Sequence, residues 1–182
     1  MDWRAIQSAL PKDAIISSDI GNNCAIGNAY PTFEKGRKYL APGLFGPCGY
    51  GLPSIVGAKI GVPSVPVVGF AGDGAFGISV NEMTSIGRSE WPAITMIIFR
   101  NYQWGAEKRN TTLWFKDNFV GTELDTKVSY AKMADACGFI GTTANSMEEL
   151  TSILKEAISQ QMENNKTTFI EVMLNQELGE PF

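Results

Sequence analysis

Val65-Pro-Val-Val-Gly-Phe-Ala-Gly-Asp-Gly-Ala-Phe-Gly77 decides how this chain folds. An apolar run rich in valine reaches Gly72-Asp73-Gly74 and gives way to a helical pattern, so Asp73 stands at the carboxyl end of a strand. Glycines on either side let the backbone come close to a ligand, and the helix that follows turns unpaired N–H groups toward an anion. The helix leads to a second apolar strand, Ala93-Ile-Thr-Met-Ile-Ile-Phe99, followed by Arg100 and Asn101. A strand–helix–strand unit of this kind lays its strands parallel, with both carboxyl ends on the edge of the sheet where ligands of open α/β domains bind. Asp73 and Asn101 are therefore expected to face one site.

The same alternation runs through the chain and predicts a three-layer α/β domain, with a mostly parallel central sheet of about six strands and helices on both faces. The expected strands are Ala14 to Asp19, Lys38 to Ala41, Val65 to Ala71, Ala93 to Phe99, Phe139 to Thr143 and Thr168 to Leu174. The expected helices are Trp3 to Leu10, Tyr50 to Ile60, Ile78 to Arg88, Ser129 to Cys137 and Ser146 to Gln161. In the last of these, Met147, Leu150, Leu154 and Ile158 recur every three or four residues, which is a core-facing stripe. Ser146 and Glu149 form the pattern of a capping box at its start. Gly21 to Gly49 and Asn101 to Thr126 carry no periodic signal and are read as long loops, which in compact domains are often functional.

Composition narrows the chemistry. With 182 residues, 44% of them hydrophobic, the chain can bury one core and reads as a single domain over 1–182. A net charge of −4 with scattered Lys and Arg offers no basic stripe, so nucleic acid is not an expected partner. No apolar run approaches the roughly 20 residues that span a bilayer, and the start of the chain lacks a basic lead into an apolar stretch. A cytoplasmic protein without membrane contact is expected. Cys24, Cys48 and Cys137 lack disulfide or zinc spacing. The chain has no histidine, which removes the usual general base and the commonest transition-metal ligand. An organic cofactor with its own reactive centre would supply what is missing.

A carboxylate, an amide oxygen and a nearby backbone carbonyl are hard oxygen donors suited to Mg²⁺ carrying a diphosphate. GDG alone is more often a turn than a site. Strand, GDG, helix, strand and then Asn101, with 26 residues between Gly74 and Asn101, is a far more specific arrangement. It resembles the cofactor motif of the thiamine diphosphate enzymes. The resemblance implies that Asp73, the Asn101 side chain and the Gln103 backbone carbonyl bind Mg²⁺. Arg100 stands where many members of the family have a first asparagine, a position that is not a metal ligand.

Ser18-Asp-Ile-Gly-Asn22, Phe45-Gly-Pro-Cys-Gly-Tyr50, Gln103-Trp-Gly-Ala-Glu-Lys-Arg-Asn110 and Glu177-Leu-Gly-Glu-Pro-Phe182 bring the resemblance closer to the sulfoacetaldehyde acetyltransferase family, and together span nearly the whole chain. By that resemblance Asp19, Gly21 and Asn22, with Gly72, Asp73, Gly74 and Ala75, hold the diphosphate of thiamine diphosphate. Phe45, Gly46 and Cys48 lie against its rings, although a plain glycine turn explains that stretch as well. Asn101, Gln103, Trp104 and Gly105 complete the cofactor site. Trp104 reads equally as loop packing, and packing is the better reading of Trp114. Lys108 and Arg109 are candidate contacts for a sulfonate or an attacking phosphate.

The implied reaction converts sulfoacetaldehyde, a small-molecule substrate, and phosphate to acetyl phosphate and sulfite. In the family a separate pyrimidine-binding domain, of the same or another chain, supplies the glutamate that activates the cofactor. Nothing in this sequence matches that domain. A fragment or subunit of a larger enzyme, inactive by itself and part of a homo-oligomer, is therefore expected. Two other readings stay open: a subunit of a thiamine diphosphate-dependent 2-oxo acid decarboxylase such as sulfopyruvate decarboxylase, and a non-catalytic α/β binding module.

Overall fold

The computed structural model describes residues 3–33, 38–88 and 90–176. The Glu177 to Phe182 stretch lies outside the described residues. Six strands form one all-parallel sheet: β1 (Ile15–Ser18), β2 (Tyr39–Leu40), β3 (Val67–Gly72), β4 (Thr95–Arg100), β5 (Ile140–Ala144) and β6 (Thr168–Met173). Their order across the sheet is β2-β1-β3-β4-β6-β5. From β1 the chain goes first to β2 on one side and then to β3 on the other, so the winding reverses at β1 and β3. A crevice opens beyond the carboxyl ends of strands at such a reversal.

Among the described residues eight α-helices precede or connect the strands: α1 (Trp3–Ala9), α2 (Asn22–Ala29), α3 (Gly51–Gly61), α4 (Asp73–Ser79), α5 (Met83–Ile86), α6 (Gly105–Phe115), α7 (Tyr130–Ala136) and α8 (Met147–Glu163). Successive strand residues point to opposite faces, and this alternation divides the core in two. On one face Trp3 and Ile6 of α1 and Leu150, Leu154 and Ile158 of α8 pack on Val68, Phe70, Ile97 and Phe99. On the other, Leu52 and Ile55 of α3, Phe76 of α4, Met83 and Ile86 of α5 and Tyr130 of α7 pack on Val67, Ala71, Met96, Ile98 and Phe169. β3 and β4 are buried on both sides, which is why they read as unbroken apolar runs.

The Ser146–Glu149 box forms as expected at its first contact, with Ser146 Oγ accepting from the Glu149 N–H at 3.1 Å. The Glu149 carboxylate reaches one residue further back, to the Asn145 N–H at 2.7 Å. Three expectations change. The helix expected from Ile78 to Arg88 begins instead at Asp73 and breaks into a 3-10 turn at Val80–Glu82 before α5. Each of the two stretches read as loops contains a helix, α2 and α6. Neither carries an apolar stripe, and α6 buries none of its residues. Among the described residues no helix is long and apolar enough to cross a membrane.

Candidate cofactor site

β3 and β4 pair in register through Gly72 and Phe99, so the chain leaves the sheet at Asp73 and at Asn101 side by side. Asp73 is buried, 1% exposed. Its Oδ1 accepts the Gly74 N–H at 3.0 Å and its Oδ2 accepts the Tyr102 N–H at 2.7 Å. The Tyr130 hydroxyl donates to the Asp73 backbone carbonyl at 3.0 Å. Burial pushes the Asp73 carboxyl above its ordinary value; the two N–H groups and then Arg100 oppose that shift.

Tyr102 turns the loop after β4 with φ of 59°, a left-handed backbone that side chains other than glycine seldom adopt. The loop is braced by a neighbouring segment: Leu124 N–H donates to the Tyr102 carbonyl and Trp104 N–H to the Thr122 carbonyl, each at 2.8 Å. Among the described residues the side-chain amides of Asn22 and Asn101 have no hydrogen-bond partner.

These loops enclose a cavity of about 390 Å³ at the carboxyl edge of the sheet. Of the residues expected at the site, it is lined by Gly21, Asn22, Cys48, Gly72, Asp73, Gly74, Ala75, Asn101, Gln103, Trp104 and Gly105. Asp19, Phe45 and Gly46 do not line it. The Asp19 carboxylate is taken up by three backbone N–H groups, of Ile20 at 2.8 Å, Gly49 at 3.1 Å and Gly51 at 2.8 Å. It thereby fastens the 46–51 loop and the start of α3 to the end of β1. Phe45 is 90% exposed.

Lys108 sits in the brace, with its ammonium on the Gln103 Oε1 at 3.0 Å and paired with Glu123. Ile20, within the expected Asp19-Ile-Gly21-Asn22 loop, lines the cavity, and so do Asn23, Ile26, Phe99, Glu107 and Leu174, which were not expected there. Adjacency to that loop and to the QWGAE stretch was the available signal for Asn23 and Glu107.

Two glycines make the walls close. A Cβ on Gly74 would lie 2.7 Å from the Trp104 ring, and one on Gly105 would lie 3.0 Å from Asn101 Nδ2 and 3.5 Å from Asn22 Nδ2. Trp104 can cover the GDG turn, and the two amides can share one small space, only because neither position carries a side chain. An anionic group carrying a divalent ion suits this donor set of buried carboxylate, unpartnered amides and backbone N–H groups. Among the described residues no cluster of three or more His, Cys, Asp and Glu side chains offers another metal site. A larger cavity of about 710 Å³ lies at the opposite, amino edge, between Ile86, Trp91, Phe139 and Ile153, and no expected site residue reaches it. Size does not choose the site here; converging polar groups do.

Residues 19–172 match the model of the thiamine pyrophosphate enzyme C-terminal TPP-binding domain. The chain belongs to this family. As a TPP-binding domain it takes thiamine diphosphate as its cofactor, and the cavity contains the motif by which the sequence resembled that family. The domain is 74% identical, over its whole length, to a sulfoacetaldehyde acetyltransferase of Roseovarius nubinhibens. It is 75% identical, over 99% of its length, to a probable sulfoacetaldehyde acetyltransferase of Rhizobium meliloti. It spans about 30% of the length of each of these relatives. A thiamine diphosphate-dependent 4-hydroxybenzoylformate decarboxylase of Rhodococcus jostii RHA1 has the same fold. That structure superposes with a TM-score of 0.84 at 23% identity, covering 96% of this domain and 32% of that chain.

Proposed function

We propose that this domain holds the diphosphate end of thiamine diphosphate with Mg²⁺ in a sulfoacetaldehyde acetyltransferase, which converts sulfoacetaldehyde and phosphate to acetyl phosphate and sulfite. The observation that carries the reading is the junction of Asp73 with the loop of Asn101 through the Tyr102 N–H, at the head of a cavity lined by the motif residues. Identities of 74% and 75% to proteins of that name support the substrate assignment.

In this reading the Asp73 carboxylate, the Asn101 amide oxygen and the Gln103 backbone carbonyl are the Mg²⁺ ligands. Gly21, Asn22 and Gly72 to Ala75 meet the diphosphate, and Cys48 and Trp104 flank the cofactor. Asp19 acts at one remove, by fixing the loop that carries Cys48. Desolvation, then the charges of Asp19 and Glu107, raise the Cys48 thiol above its ordinary value, which suits a wall residue and not a nucleophile. When bound, thiamine diphosphate supplies a nucleophilic carbon and an electron sink. The domain's own groups bind the ion, orient the diphosphate and keep water from the buried carboxylate. Lys108 and Arg109 of α6 are the candidate contacts for the sulfonate or phosphate. Lys108 is committed to Glu123 and Gln103 and serves the loop first.

The enzyme acts in the cytoplasm as a homo-oligomer, and a pyrimidine-binding domain, of the same or a second chain, completes its site. The test is calorimetric titration of the domain with thiamine diphosphate, with Mg²⁺ and then with EDTA, followed by assay of the full-length enzyme. Saturable Mg²⁺-dependent binding, with acetyl phosphate formed from sulfoacetaldehyde, is expected. Carbon dioxide from a 2-oxo acid in place of acetyl phosphate would assign a decarboxylase. No binding even beside a competent pyrimidine-binding domain would leave a non-catalytic module.

A further inference from the structure

Arg100 is a buried cation, 2% exposed, and it is one residue away from Asn101. Its guanidinium lies 3.3 Å from the Glu171 carboxylate on β6 and donates to the Asp125 carbonyl at 3.2 Å. Its guanidinium carbon lies over two aromatic rings, 4.5 Å from the centre of Tyr102 and 5.1 Å from that of Tyr130.

The same two tyrosines hold Asp73. Tyr102 does so through its backbone N–H on Oδ2, and Tyr130 through its hydroxyl on the backbone carbonyl. Glu171, the ion-pair partner, also accepts the Tyr130 N–H at 3.1 Å and the Ser129 hydroxyl at 2.9 Å, which fixes the start of α7 and with it the Tyr130 ring. The Asp125 carbonyl belongs to the segment that braces the loop at Leu124 and Thr122. One guanidinium therefore touches every element that orients Asp73, apart from the GDG turn itself.

We propose that Arg100 is a positioning residue for the metal loop, resting on the cofactor reading above. It clamps the Tyr102 ring and thereby keeps the left-handed turn whose N–H aims the Asp73 carboxylate and whose following residues present Asn101 and Gln103. Strained backbone of this kind persists where its surroundings over-determine it. Without the clamp Tyr102 relaxes, its N–H leaves Asp73, and the ligand set loses its common focus. A lysine cannot replace the clamp, because a single ammonium does not reproduce the planar, delocalised cation that stands over both rings while bonding two acceptors.

Removing Arg100 alone strands the buried Glu171 carboxylate and lowers stability for that reason. The informative variant is therefore Arg100→Met/Glu171→Gln, which removes both charges, with Arg100→Lys as the conservative replacement. Hydrogen exchange at the Tyr102 amide is compared with that at Ile97 and Phe99 inside β4, and thiamine diphosphate binding is titrated against Mg²⁺. In the double variant Tyr102 is expected to exchange at least about tenfold faster while the β4 amides stay protected. The Mg²⁺ needed for half-maximal binding is expected to rise about 10–100-fold, the usual effect of losing an outer-shell partner. Arg100→Lys recovers neither. A folded double variant with a lowered melting temperature but unchanged Tyr102 exchange and Mg²⁺ requirement would overturn the proposal, leaving Arg100 an ordinary core ion pair. If the unaltered chain takes up no thiamine diphosphate, the cofactor reading alone fails, and the exchange rate at Tyr102 decides the positioning role.

Discussion

The backbone N–H of Tyr102 donates to Oδ2 of Asp73 across 2.7 Å, and this one hydrogen bond joins the two loops that carry the expected metal ligands. The loops come from different strands and are separated by α4 and α5 in sequence, so the bond is the most local statement of how the site is assembled.

Asp73→Asn should abolish the Mg²⁺ dependence of cofactor binding. The substitution removes the charge and turns one of two acceptors into a donor facing an N–H of Gly74 or Tyr102. Loss of that hydrogen bond should cost about 1–2 kcal/mol of stability, and Mg²⁺-dependent affinity should fall by at least about 100-fold, beyond a typical outer-shell effect. Calorimetry and thermal melting of the same variant read both. Retained Mg²⁺ dependence would take Asp73 out of the ligand set.

Burial raises the Asp73 carboxyl above 3.8, and the ion needs the ionised form. Mg²⁺ affinity should be full above the raised value and weaken about tenfold per pH unit below it, one proton being involved. Stability of the free chain carries the opposite sign. The Asp73 contribution is fully present below the unfolded value of 3.8 and is lost as pH rises through the folded one. Mg²⁺ titrations across the acid range check this; affinity unchanged down to about pH 4 would place the carboxyl in its ordinary range.

Gly74→Ala places a methyl 2.7 Å from the Trp104 ring. The ring must move off the GDG turn, at a cost of about 1–3 kcal/mol typical of overpacking. A shifted Trp104 emission together with weaker cofactor binding is the expected result, and an unchanged emission maximum would mean that the ring yields without leaving.

Gly141→Ala tests the fold and not the site. A Cβ there would lie 1.9 Å from the Ala131 backbone oxygen, and backbone cannot step aside as a flexible side chain can. A loss of at least about 3 kcal/mol is expected in denaturant titration, at the high end of overpacking. A melting curve matching that of the unaltered chain would show that α7 slides on β5 at little cost.

Arg109→Ala in the full-length enzyme should raise the phosphate KM about tenfold, the effect of one charge-assisted hydrogen bond, with thiamine diphosphate affinity unchanged. Lys108→Ala should act mainly through the loop brace. Steady-state kinetics at varied phosphate separate them; unchanged kinetics in both would remove these side chains from the substrate site.

Five of the six strands were legible as short runs containing Val, Ile or Thr, and β2, Tyr39–Leu40, as a short apolar run, and each was found within two residues of its expected ends. α2 was not, since Asn22-Asn-Cys-Ala-Ile-Gly-Asn-Ala29 combines weak helix formers with no apolar period. α6 was missed because its aromatic end, Leu113-Trp114-Phe115, is exposed and gives no core-facing stripe. That Asp73, Asn101 and their neighbours converge on one cavity was legible from a motif. Asp19 was legible as a motif residue but not as a loop fastener, because its partners at Gly49 and Gly51 are about thirty residues away. Arg100 looked like a harmless departure for the same reason: its significance depends on Glu171, Asp125 and Tyr130, which only the folded sheet brings to it.

The braced turn at Tyr102 has a kinetic consequence. Because protein groups alone join the two loops proposed to bear the metal ligands, uptake of an ion there should require no folding event in the chain. Magnesium gives up its hydration water reluctantly, so the rate of loading is set by the chemistry of the aqueous ion. An ion that exchanges its water faster should enter the same seat sooner, whatever its final affinity.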